Sequence, residues 1–551
     1  MIKFKPTFGM LFLSIILSAC IPSTDDKPTS ESSNVEQTQT EKTLTELANS
    51  KNADLYGEGV LASIQTPNTV ETSIGTLQFI DGSPTAETAK LVYDNLDRQR
   101  GIDAFLKGIP AASLRALMNG SRSLGAEQAH QVVIMDKLLD SKSLFLTGNT
   151  STLYVLPQFD LERDGPTVIE VPPGMLGAFD DAWFRYIQDV GPLGPDKGKG
   201  GKFLLVPPEY QGELPAGYFL VKSRTNKVWS FMRASIANGL TEAVKNIKEN
   251  LKVYPLAKIN NQPTMEFISG SGKYFNTIHP NDFSFYGHLN HVIQEEPLTM
   301  IDVETRGLLA SIGIEKGKEF APDLRMKKIL TDAVAIANAT ARSIVWYPRT
   351  DSMLDGIELY PETNSAWHMG YNNKNVFFTT ASGGMNSDAR VMFHYPYTAV
   401  TPAMAVTIPG KGSDYAIAYL DSEKQPFDGS QLYQLTLPAN VPVADFWAIT
   451  IYDTQTRSQL QTNQPFPSVG SQTKGLKSNE DGSYTIYFGP KAPKGYENNW
   501  LETIPGKSWF TALRMYGPEQ AWISKKWRPS EIIQQDITGD FKKSKQALDI
   551  N

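Results

Sequence analysis

The chain has 551 residues, 40% of them hydrophobic, and is long enough to bury more than one sizeable core. Its net charge of −7 is the balance of 52 basic and 59 acidic side chains, which argues against nucleic acid as a partner. A single cysteine excludes an internal disulfide and a thiolate metal cluster.

The N-terminus follows the pattern of an exported protein. Lys3 and Lys5 precede an apolar run over 8–17, which is shorter than the about 20 apolar residues that span a bilayer. Small residues then lead into Cys20, the chain's only cysteine, and this arrangement resembles the bacterial lipobox, in which the cysteine is lipidated. We expect residues 1–20 to be a lipoprotein signal peptide, with an ordinary secretory signal as the alternative.

The residues after Cys20 set the expected location. Ile21 stands where an inner-membrane retention signal would have Asp, so known sorting rules favour the outer membrane, facing the periplasm. Residues 21–50 are rich in Ser, Thr, Glu and Gln, a composition that buries too little apolar surface to fold. We expect a disordered tether that holds the globular part to the membrane through the lipid on Cys20.

Helical and β patterns alternate along the rest of the chain. Apolar side chains at three- and four-residue steps predict helices over about 85–143, with a break at Gly108-Ile109-Pro110. A β pattern with Pro and Gly punctuation follows over 145–233. Further helices are predicted over 228–252 and 281–345, before a second β region over about 390–533.

These patterns predict an α+β fold, mainly β, with two jelly-roll-like β-sandwich modules and helical segments before and between them. The expected domains are an N-terminal β module with leading helices at 85–235, a helical insert at 236–345, and a C-terminal β module at 390–535.

The two β regions share spacings in the same order. Phe203 precedes Arg233 by thirty residues, and Tyr484 precedes Arg514 by thirty. Each arginine follows an aromatic residue by four positions. In each region an Asp also follows a Trp by six positions, namely Trp183 and Asp189, then Trp447 and Asp453. The shared spacing indicates two copies of one β module, with coincidence as the alternative.

Blocks in both regions resemble a bacterial family that pairs domain of unknown function 1254 with domain of unknown function 1214. The C-terminal blocks are Phe446–Asp453, Asn479–Ser483, Asn498–Leu501 and Leu513–Pro518. The N-terminal blocks are Asn149–Tyr154, Gly201–Pro207 and Asn226–Trp229. The resemblance implies two β domains with a helical insert and no settled activity. The C-terminal domain of that family is similar in architecture to the jelly rolls of glycan-cleaving amidases, an analogy of fold alone.

Paired acids are the candidates for catalysis. Hydrolysis of a glycoside or amide needs one protonated and one ionised carboxyl group. Asp189 and Asp453 each end an aromatic strand, so they could face a cleft. The favoured alternative is structural: each caps a turn or pairs with an arginine such as Arg233 or Arg514.

A pair of histidines and a glutamate form a candidate metal site. His288, His291 and Glu295 lie at i, i+3 and i+7 in a predicted helix and therefore share one face, where they could hold zinc. Polar helix surface is the favoured alternative, and we predict no cofactor.

Ligand binding is the favoured function. Asn149, Tyr154, Trp447 and Trp500 lie in the blocks described above and are candidate contacts. Our first hypothesis is an envelope protein that binds a carbohydrate or a hydrophobic small ligand in a cleft between the modules. A hydrolase of glycan-linked, ester or amide substrates and a structural envelope protein are the alternatives, and homo-oligomerisation stays open.

Overall fold

The structure, a computed structural model, describes residues 60–405 and 408–535. The predicted signal peptide, the lipidation site Cys20 and the predicted tether therefore lie outside the described residues. The chain divides into a unit ending at Val92 and a unit beginning at Tyr93, and each is described by itself.

The first unit contains a small antiparallel sheet. Its elements are helix α1 (Val60–Ile64) and strands β1 (Thr69–Thr72), β2 (Gly75–Ile80) and β3 (Ser83–Pro84). The strands pair in the order β1-β2-β3. Helix α2 (Ala86–Ser123) begins in this unit.

Helix α2 runs for 38 residues and passes through Pro110, so the predicted break there is wrong. It also ends well before residue 143, where the predicted helical region was to end. Proline in a helix interior costs about 3 kcal/mol because it removes one hydrogen bond. Burial outweighs that cost here, since Phe105 and Ile109 are fully buried. A Cβ atom on Gly108 would lie only 2.9 Å from Leu289 Cδ2, which shows how closely the helix packs.

Two sheets form the N-terminal sandwich. Its elements are β4 (Gln131–Ile134), β5 (Leu153–Leu156), β6 (Gln158–Asp160), α3 (Leu161–Asp164), β7 (Thr167–Val171), β8 (Met175–Asp181), β9 (Tyr186–Val190), β10 (Gly201–Val206), β11 (Phe219–Lys222), β12 (Lys227–Ala234), α4 (Leu240–Asn250), β13 (Lys252–Pro255) and β14 (Glu266–Ser269). One sheet has the order β11-β10-β7-β13 and the other β14-β4-β5-β12-β8-β9, with β6 also on β12. Buried side chains such as Val155 and Phe203 fill the space between them.

Helices α5 (Ser284–Glu295), α6 (Val303–Ser311) and α7 (Leu324–Trp346) confirm the helices predicted over 281–345. The helix predicted over 228–252 starts too early, because 227–234 is strand β12 and α4 begins only at Leu240. Helix α7 packs tightly on α2: a Cβ atom on Gly101 would lie 2.8 Å from Ala333 Cβ. A short helix, α8 (Ser387–His394), follows.

The C-terminal sandwich also consists of two sheets. Its elements are β15 (Trp367–His368), β16 (Ser413–Ala418), β17 (Phe427–Asp428), β18 (Leu432–Leu437), β19 (Val443–Asp453), β20 (Ser468–Gly470), β21 (Tyr484–Gly489), β22 (Trp500–Glu502), β23 (Ser508–Pro518), α9 (Gln520–Ile523) and β24 (Ile533–Gln535). The sheets have the orders β15-β16-β23-β19-β20 and β22-β21-β18-β24, with β17 also on β23.

Strand pairing supports the predicted duplication. Strands β5 to β13 correspond one by one to β16 to β24: β11-β10-β7-β13 matches β22-β21-β18-β24, and β5-β12-β8-β9 matches β16-β23-β19-β20. Even the parallel pairs agree, β10 with β11 and β21 with β22. Arg233 lies on β12 and Arg514 on the equivalent β23.

One of the shared spacings was misaligned. Arg233 pairs with Leu176 on β8, and Arg514 pairs with Ala448 on the equivalent strand β19. Asp181 lies five residues after Leu176, and Asp453 lies five residues after Ala448. Asp181, not Asp189, is therefore the counterpart of Asp453. The prediction that Trp183 and Asp189 are equivalent to Trp447 and Asp453 is therefore wrong. The strand pairing still supports the duplication itself.

The largest buried apolar cluster contains side chains of helices α2, α5 and α7 and of strands from both sandwiches. The α+β prediction with two β modules is confirmed, and the jelly-roll detail stays a prediction. Within the described ranges, no helix combines the length and the apolar character needed to cross a membrane.

Candidate ligand-binding site

A cavity lies between the two sandwiches. It contains about 600 Å³ of empty space, open solvent at its mouth included. The N-terminal sandwich, the segment after the helical insert and the C-terminal sandwich all contribute to its lining: Phe145, Leu146, Thr147, Gly148, Asn149, Tyr154, Phe231, Arg233, Gly370, Tyr371, Phe393, Tyr397, Thr398, Met404, Tyr415, Ile417, Ala512 and Arg514.

Each sandwich contributes the same pair of side chains. Arg233 on β12 lies opposite Tyr154 on β5, and Arg514 on β23 lies opposite Tyr415 on β16. Residues directly opposite in an antiparallel pair present their side chains on one face, and all four line the cavity. The duplicated module therefore brings two equivalent Arg–Tyr pairs to one site.

Arg514 is held in place by two hydrogen bonds. Its Nη1 donates to the hydroxyl of Tyr452 at 2.5 Å, and its Nη2 donates to the carbonyl oxygen of Thr147 at 2.6 Å. Its guanidinium carbon lies 5.6 Å from the centre of the Tyr452 ring and 5.8 Å from that of Tyr415. The side chain is fixed on one side and faces the cavity on the other.

Arg233 has fewer contacts. Its Nε is buried and has no hydrogen-bond partner among the described residues, and its guanidinium carbon lies 5.6 Å from the centre of the Phe231 ring. Burial lowers the pKa of Arg233, but nearby tyrosines, Tyr415 and Tyr154 foremost, raise it on balance. Those tyrosines carry charge only in alkali, so at neutral pH they provide no counter-charge.

Neither arginine forms an ion pair with an Asp or Glu of the described residues. Arg233 is 7% exposed and Arg514 6% exposed. A buried charge without a partner is costly, because the low dielectric of the interior replaces the hydration that water would give. Two such charges at one cavity therefore make it a site that favours an anion.

Aromatic rings form much of the remaining wall. The Tyr371 ring stacks on Phe393 with ring centres 4.3 Å apart, and the Tyr397 hydroxyl bonds to that of Tyr419. Tyr371 donates its hydroxyl to the carbonyl oxygen of Ala399 at 3.2 Å. Flat rings of this kind accept an apolar or sugar-ring surface.

Two buried acids lie beyond this wall. Asp180 accepts the backbone N–H of Val400 at 3.2 Å, and Asp189 accepts the hydroxyl of Thr401. Burial raises the pKa of Asp180 well above its ordinary value and that of Asp189 to about 6. Neither carboxyl group lines the cavity.

The predicted ligand contacts divide into two groups. Asn149 and Tyr154 line the cavity, and the backbone N–H of Asn149 donates to the Tyr154 hydroxyl at 2.9 Å. Trp447 is 2% exposed in the core of the C-terminal sandwich, and the Trp500 ring nitrogen donates to the carbonyl oxygen of Gly489. Neither tryptophan belongs to the cavity lining, because both serve the sandwich itself.

Asp189 and Asp453 do not come together as a catalytic pair in the cavity. Asp453 accepts the backbone N–H groups of Gln455 and Thr456 and pairs with Lys507. The structural alternative had each acid capping a turn or pairing with an arginine such as Arg233 or Arg514. Asp453 does cap a turn, but among the described residues neither Asp189 nor Asp453 pairs with Arg233 or Arg514.

The three predicted metal ligands do not form a common site. Glu295 pairs with Arg115 at 2.9 Å, and His291 donates from Nδ1 to the carbonyl oxygen of Gly287, while His288 lines a different cavity. Across residues 60–405 and 408–535, no three His, Cys, Asp or Glu side chains are grouped so as to hold a metal ion.

The sequence marked Arg233 and Arg514 as repeat positions but not as site residues, and it missed Thr147 and Tyr415 altogether. The available signal was the thirty-residue spacing, which places equivalent arginines on equivalent strands.

Solved structures of low identity resemble the chain. The VPA0106 protein of Vibrio parahaemolyticus is 18% identical, with a TM-score of 0.46, over 80% of this chain and 100% of its own. An uncharacterised protein from Burkholderia cenocepacia is 11% identical, with a TM-score of 0.35, over 80% of this chain and 96% of its own. No curated protein sequence matches the chain.

Family comparisons match both β regions. The family described as protein of unknown function (DUF1254) matches residues 129–255, and that described as protein of unknown function (DUF1214) matches residues 412–520. The resemblance seen in the sequence is confirmed: the chain carries a DUF1254 domain followed by a DUF1214 domain.

Proposed function

We propose that the protein binds a small organic anion in the cavity between its two sandwiches. The observation that carries this proposal is the pair of buried arginines, Arg233 and Arg514, which line one cavity without a carboxylate partner. A carboxylate or phosphate group would accept hydrogen bonds from a guanidinium and offset its charge. The equivalent origin of the two arginines supports a role for both.

The aromatic wall supports a ligand that also has an apolar or sugar-ring surface. Tyr371 and Phe393 stack on one another beside the cavity, and Phe231 adjoins Arg233. An anionic group at the arginines would leave the rest of the ligand against these rings. The expected carbohydrate or hydrophobic ligand is therefore one that also carries a negative charge.

Binding is favoured over hydrolysis at this cavity. The described lining contains Arg, Tyr, Thr, Asn and apolar side chains but no carboxylate, imidazole or thiol. General acid–base catalysis needs a group with a pKa near the working pH within hydrogen-bond reach of the substrate. Asp189 has a suitable pKa, about 6, but it is not among the residues that line the cavity, and its carboxyl group accepts a hydrogen bond from Thr401.

Thermal shift and calorimetry with matched ligand pairs test this proposal. Benzoate and galacturonate should stabilise the protein, whereas their neutral counterparts benzamide and galactose should not. Arg233→Met and Arg514→Met should each weaken anion binding on the order of a hundredfold, because each removes a buried charge-assisted contact.

The matched control is Arg325→Met, since Arg325 lies at the surface and pairs with Asp94 and Asp97. It should bind the anion as the unaltered protein does. Equal binding of the neutral counterparts, or anion binding that survives both cavity variants, would contradict the proposal.

We also propose that a lipid on Cys20 anchors this binding protein in the cell envelope, with its folded part in the periplasm. The support is the sequence pattern around the single cysteine. Labelled palmitate should enter the full chain but not Cys20→Ser, and the variant should leave the membrane fraction. Labelling that persists in Cys20→Ser would rule out this anchor.

A further inference from the structure

A second cavity lies apart from the proposed binding site, between the start of helix α5 and the turn after strand β19. It contains about 670 Å³ of empty space, with a wide opening included. Its polar lining comprises Asn276, His279, Asn281, Ser284, His288, Gln455, Thr456 and Arg457. None of the residues that line the first cavity is among them.

Arg457 is the most unusual side chain of this lining because it is fully buried, at 0% exposure. Its Nη1 donates to the hydroxyl of Tyr395 at 3.2 Å and to the carbonyl oxygen of Gln455 at 3.0 Å. Its Nε and Nη2 have no hydrogen-bond partner among the described residues. The Tyr395 ring centre lies 4.2 Å from the guanidinium carbon, so one face of the guanidinium is covered.

Arg457 forms no ion pair with an acid of the described residues, so its charge is only partly compensated. Asp453, the acid nearest in the chain, is paired with Lys507. Burial foremost lowers the pKa of Arg457 and the positive charge of Arg342 adds to this effect, whereas Tyr395 and Asp453 oppose it. Asp282 beside the cavity is engaged by the N–H and hydroxyl of Ser284. Arg457 therefore brings two donor nitrogens without a hydrogen-bond partner to the wall of this cavity.

The same cavity holds buried acceptors without a donor. His279 is 2% exposed, and its Nδ1 bonds to the carbonyl oxygen of Pro280 at 3.0 Å, which requires a proton on Nδ1. Its Nε2 is then an acceptor, and it has no partner among the described residues. The pKa of His279, lowered to about 3 by burial and then by Arg457, keeps this ring neutral. The Asn281 side-chain oxygen also lacks a donor.

Buried donors and acceptors without partners are costly, so a ligand that satisfies both kinds is favoured. We infer that this cavity binds phosphate or a phosphate monoester in a protonated form. Its oxygen atoms would accept from Nε and Nη2 of Arg457, and its P–OH would donate to His279 Nε2 or to Asn281. A fully deprotonated oxyanion satisfies only the arginine and leaves the acceptors empty.

Sulfate is the discriminating probe because it has the shape of phosphate but no proton at neutral pH. Calorimetry of the purified protein should show saturable binding of phosphate or of glycerol 3-phosphate, two probes that separate a free ion from an ester. Sulfate should bind about tenfold or more weakly. Equal affinities for sulfate and phosphate, or no saturable phosphate binding, would overturn the inference.

Substitutions test whether phosphate binds in this cavity or in the first one. Arg457→Met should weaken phosphate binding by about tenfold or more, and Arg325→Met, which alters a surface arginine outside both cavities, should leave it unchanged. If Arg457→Met does not fold, Asn281→Leu at the half-buried rim should reduce the preference for phosphate over sulfate. Phosphate binding that is lost in Arg514→Met but kept in Arg457→Met would place the anion in the first cavity and refute the second site.

Discussion

Arg233→Met should raise the free energy of unfolding of the ligand-free protein by about 1–2 kcal/mol, whereas Arg514→Met should lower it by about 1–3 kcal/mol. The two arginines occupy equivalent positions in the duplicated modules, yet the expected effects have opposite signs. The difference follows from what each guanidinium bonds to in the absence of ligand.

Arg233 places a buried charge in the cavity with no hydrogen bond from its Nε. Methionine is unbranched and flexible, can occupy the space along the aliphatic part of the arginine, and carries no charge to desolvate. Replacing a buried ion pair with well-packed apolar side chains is often neutral or stabilising by about 1–4 kcal/mol, and a charge without an ion-pair partner has less to offset its desolvation. The lost contact with the Phe231 ring, which lies 5.6 Å away, and the lost hydrogen bond with Tyr415 offset part of the gain.

Arg514 has two partners that would be left behind. Without its guanidinium, the carbonyl oxygen of Thr147 loses its donor and the Tyr452 hydroxyl loses one of two bonds, keeping the one that it donates to Gly148. A buried acceptor without a donor costs about 1–3 kcal/mol. Arg514→Met also removes two charge-assisted hydrogen bonds, each contributing about 1.5–3 kcal/mol, so we expect the combined loss to exceed the gain from removing the charge.

Urea unfolding of extensively dialysed protein measures both values. Arg325→Met again serves as the control and should shift the free energy of unfolding by less than about 1 kcal/mol, as expected for a surface ion pair. A loss of stability in Arg233→Met equal to that in Arg514→Met would show that the fold already stabilises the Arg233 charge, so that an anionic ligand is not needed to offset it.

The duplication was accessible from the sequence because local spacing survives in each copy. Phe203 and Arg233 lie on strands equivalent to those of Tyr484 and Arg514. The convergence of both arginines on one cavity was not accessible, since it depends on how two sandwiches pack through contacts distant in the chain. Tyr415 was missed for the same reason: only strand register places it opposite Arg514.

Local rules failed where tertiary contacts outweighed them. Pro110 predicted the end of a helix, but α2 continues because the surrounding turns are buried. The spacing of His288, His291 and Glu295 correctly predicted one helix. It could not reveal that Arg115, from α2, would take Glu295 as its partner.

Asp189→Asn should raise the free energy of unfolding at pH 8 by up to roughly 3 kcal/mol and leave it nearly unchanged at pH 4. Burial raises the pKa of Asp189 to about 6, with hydrogen bonds from Thr401 and Tyr186 opposing part of the rise. The ordinary pKa of Asp is about 3.9. The folded protein therefore holds this proton more tightly than the unfolded chain does, and stability falls as pH rises from about 4 to 6. Asparagine removes that loss, which chemical unfolding at the two pH values measures.

Asp160→Asn is the matched control, because the pKa of Asp160 moves in the other direction. Burial would raise it, but the ion pair with Lys227 at 2.8 Å lowers it on balance. The ionised carboxylate thus contributes stability above its ordinary pKa, and the contribution disappears as the pH falls through its lowered value. Asp160→Asn should consequently destabilise the protein at pH 8, and progressively less as the pH falls through the lowered pKa of Asp160. If Asp189→Asn also destabilised the protein at pH 8, its carboxylate would have to be stabilised in the fold by a partner other than Thr401 and Tyr186, and the cost of burial assigned to it would be wrong.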